Sequence, residues 1–185
     1  MIDEILEYSK AKNELVGIKL YGEAGYWCGI VEDYNDDFIQ LKHFTKNGEL
    51  DGIAIERIVD IERIDIEDDY LIAMKIVIEN RQKIRDIEIK SRIFTDLDDE
   101  NWQYVSLKPY ESDKNVLTSI QVNGDDFYQG FVKSINENFL KFELIDNNGN
   151  SNGTSVFKLE DINSVKINDL ECRRRLLIYK TKNAS

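Results

Sequence analysis

The sequence predicts a mainly β protein with some helix (α+β), organised as two tandem small β-barrels related by internal duplication. Two observations carry this prediction: a repeat with a spacing of 101 residues, and a series of short strand-like segments within each copy. The composition fits a folded protein, because 42% of the 185 residues are hydrophobic and the chain contains only 1 proline.

The repeat aligns residues 29–68 with residues 130–169 without a gap. Apolar residues also recur at matching positions, and a one-residue shift extends the match upstream to Ile18 and Ile120. Recurrence at a fixed spacing is typical of duplicated structural units. The identical pairs include Gly29/Gly130, Val31/Val132, Asn35/Asn136, Phe38/Phe139, Asn47/Asn148, Gly48/Gly149, Gly52/Gly153, Asp60/Asp161, Ile61/Ile162 and Asp68/Asp169.

Alternation of apolar and polar residues predicts five strands in each copy. Turn-forming residues separate them, for example Asn35-Asp36-Asp37. Five short, bent strands favour a small barrel, because closure removes the exposed edges of a sheet. The predicted strands are 16–21, 26–33, 38–44, 53–57 and 59–64 in the first copy, and 118–123, 127–134, 139–145, 154–158 and 161–167 in the second.

Helices are predicted before and after the strands. Apolar residues spaced as in an amphipathic helix indicate one over 2–12. Segments 69–83 and 169–182 each begin with an aspartate suited to helix capping, although 74–78 also fits a strand. In the connector, 95–100 has the pattern of a helix start. The predicted organisation is a first repeat over 1–83, a partly helical connector over 84–114 and a second repeat over 115–185.

A helix followed by five bent strands resembles the Sm and Sm-like fold, which implies small SH3-like barrels. The first Sm motif has a glycine, an aliphatic residue two positions on, an aspartate or asparagine six on and an apolar residue nine on. The resemblance covers roughly residues 1–66 and 103–167. The matching residues are Gly29, Val31, Asn35 and Phe38 in the first copy, and Gly130, Val132, Asn136 and Phe139 in the second.

The RNA-binding residues of the Sm family are not matched. Ile39 and Leu140 stand where RNA-binding Sm proteins have a base-contacting asparagine. The arginine-glycine pair of the second Sm motif is missing from 55–58 and from 156–159. The resemblance therefore implies the fold without the RNA site, and no functional residue is carried over from it.

The charge of the chain is uneven. Residues 1–80 contain 8 basic and 19 acidic residues, whereas 81–185 contain 16 and 17. The acidic first half repels nucleic-acid backbones and suits a basic protein partner. The N-terminus lacks the pattern of a signal peptide, and no apolar stretch reaches the length of a membrane span, so we expect a cytoplasmic protein without a membrane partner.

Two groups of residues are candidate binding sites. We expect nucleic-acid contact less than protein binding. It would use the basic run near the C-terminus, for which the alternative interpretation is a solvated helix end. Its residues are Arg173, Arg174, Arg175, Lys180 and Lys182. Tyrosine and tryptophan often anchor interfaces. The candidate protein interface therefore comprises Tyr21, Tyr26 and Trp27, although alternating core positions explain these residues equally well.

No catalytic, cofactor or metal site is expected. His43 is the only histidine and has no predicted orienting partner, and Cys28 and Cys172 are interpreted as small apolar residues. Phosphate-binding and dinucleotide-binding motifs are missing. The acidic clusters at 65–69 and 96–100 suit helix N-termini better than a calcium or magnesium site.

The sequence accordingly favours a non-enzymatic protein-interaction or scaffold module. The alternative is an Sm-like RNA-binding protein that uses the C-terminal basic segment. An enzyme that uses acidic residues and a metal ranks last.

Overall fold

The computed structural model describes residues 2–85 and 102–184. The chain forms two compact units, Met1–Arg81 and Gln82–Ser185. Within the described residues there are four α-helices and two five-stranded antiparallel sheets, one sheet in each unit. The predicted mixture of strands and helices is therefore confirmed.

Unit 1 contains a sheet in which the strands pair in the order β4-β3-β2-β1-β5. All neighbouring strands are antiparallel. No pairing joins β4 to β5 within the described residues, so the closure of a barrel stays a prediction. The elements are α1 (Ile2–Lys12), β1 (Val16–Leu20), β2 (Trp27–Tyr34), β3 (Phe38–Phe44), β4 (Leu50–Arg57), β5 (Ile61–Ile66) and α2 (Asp69–Arg85), which begins in this unit.

Unit 2 has the same strand order, β9-β8-β7-β6-β10. Its first helix, α3, lies in the segment that we predicted to be the connector; the predicted helix start at 95–100 lies outside the described residues. The elements are α3 (Trp102–Leu107), β6 (Thr118–Val122), β7 (Phe127–Ile135), β8 (Phe139–Ile145), β9 (Ser151–Lys158), β10 (Ile162–Ile167) and α4 (Leu170–Asn183).

The edge strands differ most from the predicted limits. β4 begins at Leu50 and β9 at Ser151, three residues earlier than predicted, because Gly52 and Gly153 sit inside the strands with positive φ. In β4 this glycine lies in a bulge, where the register shifts between Lys42 and Phe44 of β3. Short 3-10 turns at Ile58–Asp60 and Leu159–Asp161 precede the last strand of each sheet, which therefore begins later in the sequence than predicted.

Both C-terminal helices begin as the aspartate pattern predicts, with one correction. In α4 the side chain of Asp169 accepts a hydrogen bond from the Cys172 backbone N–H at 2.8 Å. In α2 the capping residue is Asp68, whose carboxylate accepts a hydrogen bond from the Leu71 N–H at 2.7 Å, and not Asp69, where the sequence predicts the cap. A cap precedes the first helical residue, so Asp69 is one position too late. Residues 74–78 are helical, which excludes the strand alternative.

The residues shared by the two copies hold the same backbone geometry in each unit. The side-chain oxygen of Asn35 accepts hydrogen bonds from the N–H groups of Asp37 and Phe38, and Asn136 does the same in unit 2. Gly29 and Gly130 lie where strands approach closely. A Cβ at these positions would be 2.8 Å from the Lys42 oxygen and 2.1 Å from the Glu143 oxygen, respectively.

Each sheet has an apolar core on both faces. In unit 1, Leu6 of α1 packs with residues such as Ile39 and Leu41 on one face of the sheet, which we call the inner face. Leu71 and Met74 of α2 pack on the opposite, outer face. In unit 2, Leu107 of α3 and Cys172 and Leu176 of α4 take the corresponding places. The helices thus leave only part of each sheet open to solvent.

Candidate protein-interaction surface

Among the residues that the structure describes, α2 covers the outer face of the unit 1 sheet at one end only. Ile30 and Phe44 pack against α2 on this face. Side chains alternate along a strand, so Phe38 points to the same face as Phe44, but Phe38 is exposed. The region beside Phe38 and along β4 is therefore the bare part of the face.

β4 presents apolar side chains to solvent in this bare region. Ile53 and Ile55 are two positions apart and point to the same side of the strand, and they are 53% and 63% exposed. Leu50 and Val59 are 57% and 66% exposed. We call these four residues the edge patch: Leu50, Ile53 and Ile55 in β4 and Val59 in the turn that follows. Large apolar residues grouped on a surface mark interaction sites.

The corresponding residues of unit 2 are mainly polar. At a distance of 101 residues they are Ser151, Thr154, Val156 and Glu160. Val156 alone is apolar, with the same 63% exposure as Ile55. A polar edge strand limits pairing with other chains, whereas an apolar edge invites it. The two units thus share a scaffold and differ in the chemistry of the edge.

The other side of β4 carries an acidic group. Ala54 packs on the inner core, and Glu56, two positions on, points to the same side. Partial burial, together with the negative charges of Glu23 and Asp60, raises the pKa of Glu56 above its ordinary value. In unit 2 this position is Phe157, which packs against other aromatic rings.

Tyr26 and Trp27 are adjacent in sequence and join different cores on opposite faces of the sheet. The Tyr26 hydroxyl donates a hydrogen bond to the Asp65 carboxylate at 3.1 Å, and burial and nearby carboxylates raise its pKa. Tyr21 is exposed, in the loop after β1. Of the three predicted interface residues, Tyr21 is thus the one with a mostly exposed side chain.

His43 lies beside Trp27 and close to Asp51. The two rings meet edge to face, with centroids 4.9 Å apart. His43 Nδ1 is 3.5 Å from an Asp51 carboxylate oxygen, across the β3–β4 hairpin. His43 of β3 thus makes side-chain contacts to both neighbouring strands, to Trp27 of β2 and to Asp51 of β4.

The arginines of the basic run tie α4 to the sheet of unit 2. Arg174 is 3% exposed and donates from Nη1 to the Asn147 carbonyl oxygen at 2.8 Å. Arg175 donates from Nη1 to the Ile145 carbonyl oxygen at 2.7 Å and from Nε to the Glu171 carboxylate at 2.9 Å. These donors are used within the unit.

The rest of the basic run also lies near polar groups of unit 2. Lys180 donates to the Asn115 side-chain oxygen at 2.8 Å, and Lys182 to that of Asn150 at 3.2 Å. Arg173 is partly buried. In unit 1 the positions of the three arginines hold 72–74, an apolar run of α2.

Both cysteines are buried thiols. Burial raises the pKa of Cys28 and of Cys172 to about 12, so both are protonated at neutral pH. A protonated, buried thiol is a poor nucleophile and metal ligand.

Among residues 2–85 and 102–184, no three histidine, cysteine, aspartate or glutamate side chains converge to hold a metal ion; the acidic cluster at 96–100 lies outside them. In the same residues, no helix combines the length and apolar character that crossing a membrane requires.

Comparisons with known proteins found no match, neither among protein-family models nor among curated proteins or solved structures. Sequence reasoning placed Ile53 and Ile55 in a strand and missed the patch. A signal existed in the repeat, because Ile53 and Val59 face Thr154 and Glu160 in the alignment.

Proposed function

We propose that the protein is a non-enzymatic interaction module that binds a protein partner through the edge patch of unit 1. The observation that carries the proposal is the contrast between two edge strands in one chain. β4 exposes Leu50, Ile53 and Ile55 where β9 has Ser151, Thr154 and Val156. Among the described residues, the exposed apolar side chains of β4 belong to neither core cluster of unit 1, which supports a role in binding.

We also propose that each unit is a bent, Sm-like small barrel that stays open between its two edge strands, and that the two units arose by duplication. The shared strand order, the two asparagine-centred turns and the two aspartate caps support this proposal. Duplication leaves two copies of one scaffold, so one edge is free to acquire a binding role while the other stays polar.

Affinity purification of the full-length protein from its own cells tests the function. The test variant is Ile53→Thr/Ile55→Thr, which replaces two exposed isoleucines of β4 by threonine, the residue at position 154 of β9. Threonine is β-branched and suits a strand, so the fold should be retained. Recovery of the specific partner should fall about tenfold, since a few apolar residues carry most of the energy of an interface.

Val156→Thr is the control, because Val156 lies at the position of unit 2 that corresponds to Ile55 and has the same 63% exposure. It should leave recovery of the partner unchanged. Equal recovery by the wild-type protein and the unit 1 variant would contradict the proposal. Turnover of a substrate without a co-purifying polypeptide would do the same.

A further inference from the structure

The edge of β4 offers more than apolar side chains. Among residues 2–85 and 102–184, β3 is the only strand that pairs with β4, so alternate backbone N–H and C=O groups of β4 point away from β3. The strand spans 8 residues, Leu50–Arg57, which is enough to pair with an extended segment. Addition of a strand to such an edge is a recurring mode of peptide recognition.

The two sides of β4 favour different side chains in a segment paired with it. On one side, its side chains would lie beside Ile53 and Ile55, which favours apolar residues. On the other side they would lie beside Glu56, which already experiences the charges of Glu23 and Asp60. A positively charged side chain there would relieve this repulsion. The complementary segment therefore alternates apolar and basic residues.

Charge argues against a second copy of the chain as the occupant. Residues 1–80 carry a net charge of −11, so pairing two β4 edges would bring two strongly acidic units together. The same charge attracts a basic segment and speeds its association.

We propose that β4 accepts an extended segment of a basic partner protein as a sixth strand, with apolar side chains against Ile53 and Ile55 and basic side chains toward Glu56. This inference rests on the proposed function and specifies the chemistry of the partner.

Selection from a display library of random twelve-residue peptides tests the inference. The full-length protein is the target, and the selected peptides are then measured by fluorescence anisotropy. We expect alternating apolar and basic residues among them. In a bound peptide, alternate backbone N–H groups point toward β4 and the others point away. Methylation of the peptide nitrogens that point toward β4 should weaken binding at least about tenfold, because it removes the donors that pair with β4.

Two protein variants separate the two sides of the strand. Ile53→Thr/Ile55→Thr should weaken the selected peptides about tenfold. Glu56→Gln should weaken basic peptides several-fold and reduce the salt dependence of their binding. Glu160→Gln, which changes an exposed acid of unit 2, is the control and should change neither.

The outcomes distinguish this inference from the proposed function. Selected peptides that are acidic or neutral, or that bind equally well with either set of alternate nitrogens methylated, would overturn the inference. So would the absence of any peptide that depends on Ile53 and Ile55. If a cellular partner still requires these residues, the interaction function stands and only the sixth-strand mode fails. If it does not, both fail.

Discussion

The two edge strands of this chain, β4 and β9, are built alike and present different chemistry. Both span 8 residues, both carry a glycine with positive φ, and both pair with the preceding strand in the same register. β4 exposes three large apolar side chains and β9 one. The difference lies in the side chains and not in the shared strand geometry, and it supports the proposed binding role of β4.

The largest expected effect concerns the scaffold that the units share. Gly130→Ala should destabilise unit 2 by at least about 3 kcal/mol, because the new Cβ would lie 2.1 Å from the Glu143 backbone oxygen. Gly29→Ala should cost less, since its nearest contact would be 2.8 Å. Urea unfolding measures both. As a control, Gly25→Ala has only the flexible end of Glu23 nearby and should change little. Equal and small effects at Gly29 and Gly130 would show that the shared glycines have no structural role.

The next largest effect concerns the basic run of unit 2. Arg175→Ala should destabilise the unit by about 2 kcal/mol, because it removes the hydrogen bonds that the guanidinium donates to the Ile145 carbonyl oxygen and to the Glu171 carboxylate. Lys180→Ala, which changes a more exposed side chain, is the control and should have little effect. Thermal unfolding measures the difference. An Arg175→Ala variant of unchanged stability that loses affinity for RNA would instead support the nucleic-acid alternative.

A smaller effect depends on pH. Although partial burial raises its pKa, hydrogen bonds from Lys114 at 2.6 Å and Ser151 at 3.1 Å bring the pKa of Glu143 below its ordinary value. A lowered pKa in the folded state means that ionised Glu143 stabilises unit 2 above the ordinary pKa, and that this stabilisation is lost as the pH falls through the folded pKa.

Glu143→Gln should therefore destabilise the protein by about 1–2 kcal/mol at pH 7 and leave it unchanged near pH 2. Chemical unfolding at several pH values measures the difference between the variant and the wild type. A difference that is independent of pH would rule out the ion pair as its cause. Unit 1 has Lys42 at this position, so the effect belongs to unit 2 alone.

Local signals made most of the fold predictable. Asn35 and Asn136 predicted turns because their side chains satisfy backbone donors within the next three residues, and Asp169 predicted a helix start for the same reason. Gly52 was misleading, because a glycine with positive φ marks a bulge inside a strand as readily as a turn. The predicted start of β4 therefore lies three residues after the observed start at Leu50.

The candidate site could not be predicted in the same way. Alternation places Ile53 and Ile55 on one side of a strand, but which side is covered depends on how far α2 extends over the sheet. That extent is set by contacts between residues far apart in the chain, such as Phe44 and Met74. The arginines show the opposite error: the sequence suggests a basic surface at Arg174 and Arg175, but both side chains donate hydrogen bonds within unit 2. Arg174 bonds to Asn147 in the loop after β8, and Arg175 bonds to Ile145, the last residue of β8.

Site-specific photocross-linking in living cells tests the central claim most directly. A benzophenone amino acid replaces Ile55 in one protein and Val156 in another; the two positions have the same 63% exposure. We predict a discrete cross-linked polypeptide from position 55 and none from position 156. Cross-links of equal yield and identity from both positions, or none from either, would contradict the assignment of the binding role to β4.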